Sequence, residues 1–381
     1  MKILISVCGE GFGHTTRCLA IGDELSKEHD IKYMAYGKSL DFIRKCNYDA
    51  YETYPEIRLQ GQDGKFDIKR SIFNNKYNPT KAVKRELELI KQYKPDLIIS
   101  DCKYSTVVAS KLLNIPFYII TNQNYTEIDK IKFIVYPVIR LLNLVNKQAE
   151  GVIIPDLPMP YTLCEYNLTM LNNLSFIGPL VRYNLKDYDY KQGDYILSVI
   201  GGFEYRYRIL ELLNNISKRK DLKVKMVCGS YEVAEKINKI KSPNVEVIPL
   251  TTDMESLIKN CSFIVCHGGH STLMEAITFG KPVISIPDLD HPEQENNVKK
   301  VNELKCGIGL SHRDLEYTLE GAIDEIINNG IYFKNAKKLS DICKSHRGRD
   351  NIRKIVKEYE EKRENSSKTG ISISKSLKFK I

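Results

Sequence analysis

Short apolar runs rich in β-branched residues alternate along the chain with longer stretches in which apolar residues recur at helical spacing. The first run, residues 2–8, is ended by glycine and is followed by a helical pattern over 16–29. This alternation is typical of parallel β-sheets joined by crossover helices. Strands are predicted at 2–8, 31–36, 95–101, 115–121, 151–154, 174–177, 195–202, 224–229, 245–250, 262–269 and 282–287. Helices are predicted at 16–29, 38–46, 80–92, 104–113, 204–219, 231–240, 313–329 and 333–363, with one more from about 271.

The alternation occurs in two series, separated by a polar and unperiodic stretch at 178–193 that we interpret as a linker. A length of 381 residues also suggests two domains, at roughly 150 residues each. Residues 51–79 are weakly patterned, which indicates a long surface excursion. We expect an α/β fold in which two doubly wound, Rossmann-like parallel-sheet domains face a central cleft. The predicted units are 1–180, 181–345, a helix over 346–363 that crosses back, and a flexible basic tail over 364–381.

Charge and cysteine usage narrow the class of protein. The net charge is +9, but residues 344–381 hold twelve Lys/Arg against five Asp/Glu, so the first 343 residues carry only +2. A nucleic-acid-binding protein would carry a basic stripe on its folded body, so no nucleic-acid partner is expected. The ten cysteines form no Cys-x-x-Cys pair. This indicates reduced thiols in a cytoplasmic protein rather than a zinc site or a disulfide framework.

The sequence indicates at most a peripheral contact with a membrane. No apolar run reaches the roughly 18 residues needed to cross a bilayer, and the start of the chain does not resemble a signal peptide. The segment 131–147 mixes large apolar residues with Lys132, Arg140 and Lys147 around Pro137. We favour a core helix pair there over an amphipathic surface element. The surface alternative, together with the basic tail, would bring the protein to the anionic inner face of the membrane.

A glycine cluster follows the first predicted strand, with Gly9, Gly11 and Gly13 directly before His14. Glycines at this place let the backbone approach a ligand at a helix N-terminus. They also fit plain strand–turn–helix packing, in which His14 would be a capping residue. A dinucleotide fingerprint would need a third glycine at position 14 and an acid after the second strand, where Tyr36 stands. The cluster therefore gives little support to an NAD site.

The most informative segment is 266–294, which reads CHGGHSTLMEA and continues through GKP to PDLDHPEQ. A predicted strand ends at Cys266, a Gly-Gly turn follows, and a helix is expected to begin at Ser271 or Thr272. The free amides and the positive end of such a helix suit a diphosphate. The segment therefore predicts a phosphate-binding corner.

Glu275 lies one helical turn further on and could accept hydrogen bonds from both hydroxyls of a ribose. Thr272 and Glu275 also fit a capping box, which requires no ligand. That alternative explains these two residues but leaves His267, the double glycine, Glu293 and Gln294 without a role. We therefore favour a ligand site.

These motifs resemble those of the GT-B glycosyltransferases. The resemblance is greatest to the inverting branch, which holds the lipid II-forming N-acetylglucosaminyltransferase and the UDP-dependent glucuronosyl- and plant glucosyltransferases. Six positions match the spacing of that family's nucleotide-sugar site: His267, Thr272, Glu275, Gly280, Pro282 and Gln294. The resemblance implies that His267 and Thr272 bind the phosphates, that Glu275 binds the ribose, and that Gln294 and Glu293 bind the sugar hydroxyls. The donor-binding residues expected in total are Gly11, Gly13, Gly201, His267, Gly269, Ser271, Thr272, Glu275, Glu293 and Gln294.

The N-terminal cluster resembles the family's glycine-rich loop that ends in a histidine, which implies that His14 is the general base. In some relatives an aspartate closing a later strand orients this histidine, and Asp101 occupies a comparable place. Its alternative role is a helix N-cap. A His–Asp pair would hold the imidazole in the tautomer that accepts the acceptor's proton. Gly201 and Gly202 resemble the family's second glycine loop, although Phe203 stands where the family often has serine.

The implied reaction is transfer of a hexose from a nucleotide-sugar, with UDP as the expected nucleotide, to an acceptor hydroxyl with inversion. Retaining enzymes of this fold carry two glutamates eight residues apart, and the first of these is His267 here. Amides at Ser271 and Thr272 would stabilise the departing diphosphate, so neither a metal nor another cofactor is expected. We interpret Asp288 and Asp290, an acid-x-acid pattern, as loop carboxylates rather than metal ligands. The acceptor is expected to be lipid-linked or a small glycan.

Two other functions stay open at this point. A hydrolysing UDP-N-acetylglucosamine 2-epimerase shares the fold, but it needs a carboxylate acid/base cluster near the donor, and its signature motifs are not apparent here. A non-catalytic nucleotide-sugar-binding subunit would tolerate the loss of His14 and Asp101. An assay of UDP-sugar hydrolysis separates the three, because they yield free sugar with UDP, an epimer, or binding alone.

Overall fold

A computed structural model describes residues 1–9, 11–55, 61–62, 64–67, 78–123, 143–144, 146–168, 174–183 and 188–369. The segment 131–147, for which we predict a core helix pair, lies largely outside these residues, as does the chain beyond Thr369. In the part of the chain that the structure describes, no helix is both long and apolar enough to span a bilayer.

Seven parallel strands form the first sheet. Their bounds are β1 (Lys2–Val7), β2 (Asp30–Ala35), β3 (Ala50–Glu52), β6 (Leu97–Asp101), β7 (Phe117–Ile120), β8 (Gly151–Ile154) and β9 (Leu174–Phe176). Their order across the sheet is β3-β2-β1-β6-β7-β8-β9. The strands β6 and β7 are buried along their whole length. Parallel strands covered on both faces read as continuous apolar runs, which is why the sequence reveals them.

A two-stranded antiparallel pair, β4 (Gly61–Gln62) and β5 (Lys65–Phe66), lies within the predicted excursion at 51–79. This pair crosses to the second half of the molecule. The amide of Gly64 donates to the carbonyl of Tyr205 at 3.0 Å, and the amide of Leu289 donates to the carbonyl of Gly64 at 2.8 Å. The excursion therefore connects the two units, which its lack of a pattern does not indicate.

Six parallel strands form the second sheet. Their bounds are β10 (Tyr195–Val199), β11 (Val224–Val227), β12 (Val245–Ile248), β13 (Cys261–Cys266), β14 (Val283–Ser285) and β15 (Gly307–Gly309). Their order is β12-β11-β10-β13-β14-β15, which is the doubly wound arrangement of nucleotide-binding domains. The predicted fold class, two doubly wound parallel sheets, is confirmed. The sequence-based prediction lacks β15, because three residues that begin and end with glycine form no recognisable apolar run.

Helices cover the faces of both sheets. Their bounds are α1 (Phe12–Leu25), α2 (Gly37–Lys45), α3 (Pro79–Tyr93), α4 (Tyr104–Leu112), α5 (Tyr207–Lys220), α6 (Tyr231–Asn238), α7 (Met254–Asn260), α8 (His270–Thr278), α9 (Pro292–Glu303), α10 (Leu315–Asn328), α11 (Ile331–Ser345) and α12 (Gly348–Thr369). The sequence-based prediction lacks α7 and α9. The first has only seven residues, and the second is so polar that Val298 and Val301 alone mark its buried face.

Two helices begin earlier than their patterns predict. The helix α1 starts at Phe12 rather than at residue 16, because the Phe12 ring packs on Phe42 at 5.5 Å and extends the buried face. The helix α8 starts at His270 rather than at Ser271 or Thr272, and its N-cap, Gly269, has no side chain to bond. The alternative interpretation of Thr272 and Glu275 as a capping box is therefore wrong.

The C-terminal region also departs from expectation. The stretch predicted to be helical over 333–363 is divided between α11 and α12, and the chain turns between these two helices. At this turn a Cβ on Gly348 would lie 2.4 Å from the carbonyl oxygen of Pro179. Such close passage of two backbones is a tertiary constraint that helical periodicity does not express. The tail predicted to be flexible from residue 364 is helical to Thr369, because no glycine or proline interrupts α12 before Gly370.

The helix α12 returns from the second unit to the first. Its residues Ile352 and Val356 are fully buried and belong to the same apolar cluster as Ile5 of β1 and Leu19 of α1. Tyr118 and Tyr359 add an edge-on ring contact at 6.3 Å. The C-terminal helix is therefore part of the core of the first unit.

In each sheet, the order of the strands reverses between two adjacent strands. The strand β1 pairs with β6 in the first sheet, and β10 pairs with β13 in the second. Open α/β sheets bind ligands at the carboxyl ends of such strands. The four motifs predicted from sequence follow these four strands: the glycine loop before His14, Asp101, Gly201 and His267. The topology therefore collects them at two facing edges.

Candidate active site

A cavity of about 610 Å³ lies between the two sheets, within the usual size of a small-molecule site. Residues of both units line it. Eleven of the twelve sequence-predicted site residues are in its wall: Gly11, Gly13, His14, Gly201, His267, Gly269, Ser271, Thr272, Glu275, Glu293 and Gln294. The twelfth, Asp101, lies behind His14. The structure thus places His14 and Glu275 on one shared cavity.

His14 lies in the first turn of α1 and meets Asp101 at the end of β6. The distance from His14 Nδ1 to Asp101 Oδ1 is 2.9 Å. Asp101 is fully buried, whereas the His14 side chain is 24% exposed and lines the cavity. In the tautomer that donates from Nδ1 to the carboxylate, Nε2 is free to accept a proton. In this tautomer the pair has the geometry of an oriented base, whereas the opposite tautomer would let Nδ1 accept from the Arg17 Nη2 that lies 2.8 Å away.

The sequence analysis missed Arg17, which shares Asp101 with His14. Its guanidinium donates to both carboxylate oxygens of Asp101, and its Nη2 lies 2.8 Å from His14 Nδ1. Burial acts to raise the pKa of Asp101, but the charge of Arg17 and the hydrogen bonds from Arg17 and His14 hold that pKa well below its usual range. Asp101 is therefore a permanent anion. A spacing of three residues on one helix face was the signal that could have identified Arg17.

His267 follows β13 at the other side of the cavity. Burial and the nearby Arg206 cation lower the pKa of this imidazole to about 3, so it is neutral at physiological pH. Its Nδ1 is buried and has no hydrogen-bond partner among the described residues. A Cβ on Gly269 would lie 2.5 Å from the His267 Nε2, so this position requires glycine. The loop therefore offers a neutral imidazole and bare backbone.

The N-terminus of α8 follows directly. Because Gly269 is a cap without a side chain, the first amides of the helix have no side-chain acceptor. The Ser271 hydroxyl donates to the carbonyl of Gly13 at 3.1 Å, so it joins the two units rather than standing free. Thr272 lines the cavity. This corner carries positive potential from the helix end, which suits an anion.

Glu275 lies in the cavity wall, one turn into α8. No hydrogen bond or ion pair engages its carboxyl group among the described residues. Burial raises the pKa of Glu275 to about 8, and burial is the sole cause. A group in this state gains most from a ligand that donates hydrogen bonds to its charged form. The two adjacent hydroxyls of a ribose are such donors.

The second glycine loop is built around an arginine that the sequence analysis did not single out. Arg206 is buried, and it donates to Asp288 from Nε at 2.8 Å and from Nη2 at 2.5 Å. Its guanidinium carbon lies 5.0 Å from the ring of Phe203 and 5.2 Å from that of Tyr205. The aromatic residues at the place of the family's serine therefore hold a cation beside His267. Gly201, at φ +69°, lets the loop turn there.

The acid-x-acid pair is held by the chain itself. Asp288 accepts from Arg206 and also from the Gln294 Nε2 at 3.2 Å. Asp290 forms an ion pair of 2.9 Å with Lys65 of β5. The side chain of Gln294, which we expected at the sugar, thus bonds Asp288 while it lines the cavity. Asp288 connects the loop that carries Arg206 to the helix α9.

Two other groups bring three potential metal ligands within 4.8 Å in the described chain: His14–Asp101–Cys102 and Asp156–Cys164–His270. Neither includes the acid-x-acid pair. In both, the aspartate is already bonded: Asp101 by Arg17, and Asp156 by the amides of Leu163 at 2.9 Å and Cys164 at 3.1 Å. These carboxylates therefore act as acceptors for the protein's own donors.

The chain is similar to known glycosyltransferases in both sequence and fold. Residues 196–369 match the glycosyltransferase family 28 C-terminal domain. An uncharacterized glycosyltransferase of Methanosarcina mazei is 35% identical over 93% of this chain and 98% of its own. The UDP-N-acetylglucosamine--N-acetylmuramyl-(pentapeptide) pyrophosphoryl-undecaprenol N-acetylglucosamine transferase of Alkaliphilus metalliredigens is 24% identical, over 83% of this chain and 87% of its own. The solved structure of the kitacinnamycin glycotransferase has a TM-score of 0.70 at 16% identity, covering 94% of this chain and 98% of that one.

Two doubly wound sheets around one cavity, with these similarities, define a glycosyltransferase of the GT-B fold. The chain belongs to the glycosyltransferase family that includes the Methanosarcina mazei protein, and its second unit is a family 28 C-terminal domain. The resemblance drawn from the motifs is thereby confirmed. The protein is an enzyme that transfers glycosyl groups.

Proposed function

We propose that this enzyme transfers a hexose from a UDP-sugar to an acceptor hydroxyl in a single inverting step. One observation carries the proposal: a cavity is shared by an oriented imidazole, His14, and by the helix end and carboxyl group of α8 in the opposite unit. The choice of UDP draws on the name of the Alkaliphilus metalliredigens relative, whose donor is UDP-N-acetylglucosamine.

The donor would lie along α8. The diphosphate would bind at the amides of Ser271 and Thr272, because the helix end supplies donors and positive potential there without a metal. The neutral imidazole of His267 would add a hydrogen bond. The ribose hydroxyls would donate to Glu275, whose carboxyl group has no other partner in the described chain. Glu293, half-buried in the cavity wall, would accept from a sugar hydroxyl.

The chemical step follows from these placements. The acceptor hydroxyl gives its proton to the Nε2 of His14 while its oxygen forms a bond to C1 of the sugar. The bond from C1 to the diphosphate oxygen breaks at the same time, and its electron pair leaves with the diphosphate. The proton stays on His14, where the buried Asp101 carboxylate stabilises the imidazolium. Attack opposite the leaving group inverts the configuration at C1.

The experiment that tests this function begins with thermal-shift screening against UDP-, GDP- and dTDP-sugars, followed by turnover with the donor that binds. The His14→Gln variant should lose about 100- to 10,000-fold in kcat, the usual contribution of a general base, with unchanged donor affinity. Unchanged turnover in the variant, or an epimer as the product, would contradict the proposal. Binding of the nucleotide-sugar without any sugar transfer or hydrolysis would indicate a binding subunit.

We also propose a lipid-linked acceptor reached from an anionic membrane surface. The Alkaliphilus metalliredigens relative acts on a pyrophosphoryl-undecaprenol substrate, and residues 344–381 of this chain carry a net charge of +7, from twelve basic and five acidic residues. Basic segments near a membrane gain roughly 1 kcal/mol per Lys or Arg from anionic lipid. Cosedimentation with phosphatidylglycerol vesicles at low salt, compared with phosphatidylcholine vesicles, measures this. Equal binding to both would contradict it.

A further inference from the structure

A buried asparagine that no sequence motif singles out joins the base to the donor side of the cavity. We propose that Asn122 is a positioning residue for the donor sugar: it holds one carboxylate oxygen of Glu293 so that the other faces the cavity, and it links Glu293 to the His14 cluster. This inference rests on the proposed function and adds to it the residue that makes sugar binding depend on the opposite unit.

Asn122 follows β7 in the first unit and is 4% exposed. Its Nδ2 donates to Glu293 Oε1 of α9 at 2.8 Å, and its Oδ1 accepts from Arg17 Nη1 at 3.2 Å. An arginine can only donate, and a carboxylate can only accept. The two partners therefore fix the orientation of the amide, since a flipped amide would oppose donor to donor and acceptor to acceptor.

The second unit holds the same oxygen of Glu293. The Asn297 Nδ2 donates to Glu293 Oε1 at 3.1 Å and to the carbonyl of Gly268 at 3.1 Å. The other oxygen, Oε2, has no hydrogen-bond partner among the described residues, and Glu293 lines the cavity. The two amides therefore anchor one carboxylate oxygen and leave the other for a ligand hydroxyl.

A continuous series of hydrogen bonds thus passes from the first unit to the second beside the cavity. It runs from His14 through Asp101, Arg17 and Asn122 to Glu293, and then through Asn297 to the donor loop at Gly268. Only the contact of Asn122 with Glu293 in this series joins one unit to the other. The orientation of the Glu293 carboxylate therefore depends on the base cluster as well as on Asn297. The nucleotide half of the donor, bound at α8, has no part in the series.

The two halves of the donor provide the test. Isothermal titration with UDP and with UDP-N-acetylglucosamine compares a ligand that lacks the sugar with one that carries it. In Asn122→Ala we expect affinity for UDP-N-acetylglucosamine to fall about tenfold, the effect of losing one hydrogen bond to a charged group. Affinity for UDP should change less than twofold. The KM for the donor should rise, and kcat should fall.

Asn167→Ala is the matched control. Asn167 also reaches α9 from the first unit, where its Nδ2 donates to the Asn297 Oδ1 at 2.9 Å, but it does not touch the Glu293 carboxylate. This variant should leave the ratio of the two affinities as in the unaltered enzyme. If Asn122→Ala is unstable, the isosteric Asn122→Asp replaces it, since a second carboxylate facing Glu293 should produce the same selective loss.

The outcomes separate this inference from the function on which it rests. An unaltered enzyme that binds no UDP-sugar overturns both. If it binds UDP-N-acetylglucosamine, but Asn122→Ala lowers both affinities equally or neither, the inference alone is overturned and the function stands. Equal selective losses in Asn122→Ala and Asn167→Ala also overturn it, because they would indicate a general effect of the interface.

Discussion

Replacing Glu275 by glutamine should remove a pH dependence of nucleotide binding that the structure predicts for the unaltered enzyme. Burial raises the pKa of Glu275 to about 8, so below that pH its carboxyl group is mostly protonated. In the proposed donor site, ribose hydroxyls donate to the carboxylate, so binding should release a proton at pH 6–7. Affinity should then rise with pH, by at most about tenfold per unit, and level off above pH 8.

The raised pKa of Glu275 also predicts that the free energy of unfolding depends on pH. Its pKa in the folded protein, about 8, lies above the ordinary value of 4.5, so the folded state holds the proton more tightly than the unfolded state. The free energy of unfolding should therefore fall as pH rises from 4.5 to 8 and stay level above. Each pKa unit corresponds to about 1.4 kcal/mol, so the pKa difference between the folded and unfolded states limits this fall in the free energy of unfolding to about 5 kcal/mol. Because the side chain faces an open cavity, we expect about 1–3 kcal/mol.

Glu275→Gln keeps the shape of the side chain and cannot titrate. Calorimetry with UDP in two buffers of different ionisation enthalpy counts the protons released, and thermal unfolding from pH 5 to 9 measures stability. The variant should release fewer protons and should gain stability relative to the unaltered enzyme as pH rises. At pH 9 it should bind UDP about 10- to 100-fold less tightly, because a charge-assisted hydrogen bond is lost. Identical pH profiles for the two proteins would refute the reasoning.

Two further predictions concern contacts outside the cavity. Gly64→Ala should loosen the β4–β5 pair, because Gly64 has a φ of +73° and a Cβ at this position would lie 2.8 Å from His312 Nδ1. Hydrogen exchange at the Leu289 amide should become faster, and Gly330→Ala, where a Cβ meets no atom, is the control. Unchanged exchange would contradict the prediction. Lys103→Met should lower the free energy of unfolding by about 3 kcal/mol, because the substitution leaves the fully buried Glu86 carboxylate without its cation. Denaturant unfolding measures this free energy, and a loss near zero would contradict the prediction.

The sequence was most informative where physical constraints are local. The central strands β6, β7 and β10 are buried along their whole length, so their apolar runs stand out. The corner that we propose binds the diphosphate was also recognisable in the sequence, because a helix start, a glycine turn and a threonine lie within a few residues of each other. The start of α8 was misplaced by only one or two residues, since a glycine cap leaves no side-chain signal.

Long-range partners were the part that the sequence could not supply. Asp101 was assigned to His14 by resemblance, and the spacing of three residues from His14 is the one local sign of Arg17; nothing in the chain indicates that Asn122 reaches Glu293. Phe203 was read as a departure from the family, whereas it packs on Arg206 beside the donor loop. The Arg17–Asp101 and Asn122–Glu293 contacts join residues 84 and 171 positions apart. The second of them depends on how the two sheets face each other.

The sequence by itself determined the class of the protein, its two sheets and the positions of most residues around the cavity, because periodicity, glycine turns and helix starts are properties of short segments. Only the tertiary structure decided which side chains share a hydrogen bond, that the Glu275 carboxyl group has no partner among the described residues, and which residues join the two units. Those outcomes depend on distances of a few ångströms between distant segments and on burial, which raises the pKa of Glu275 while Arg17 keeps Asp101 charged.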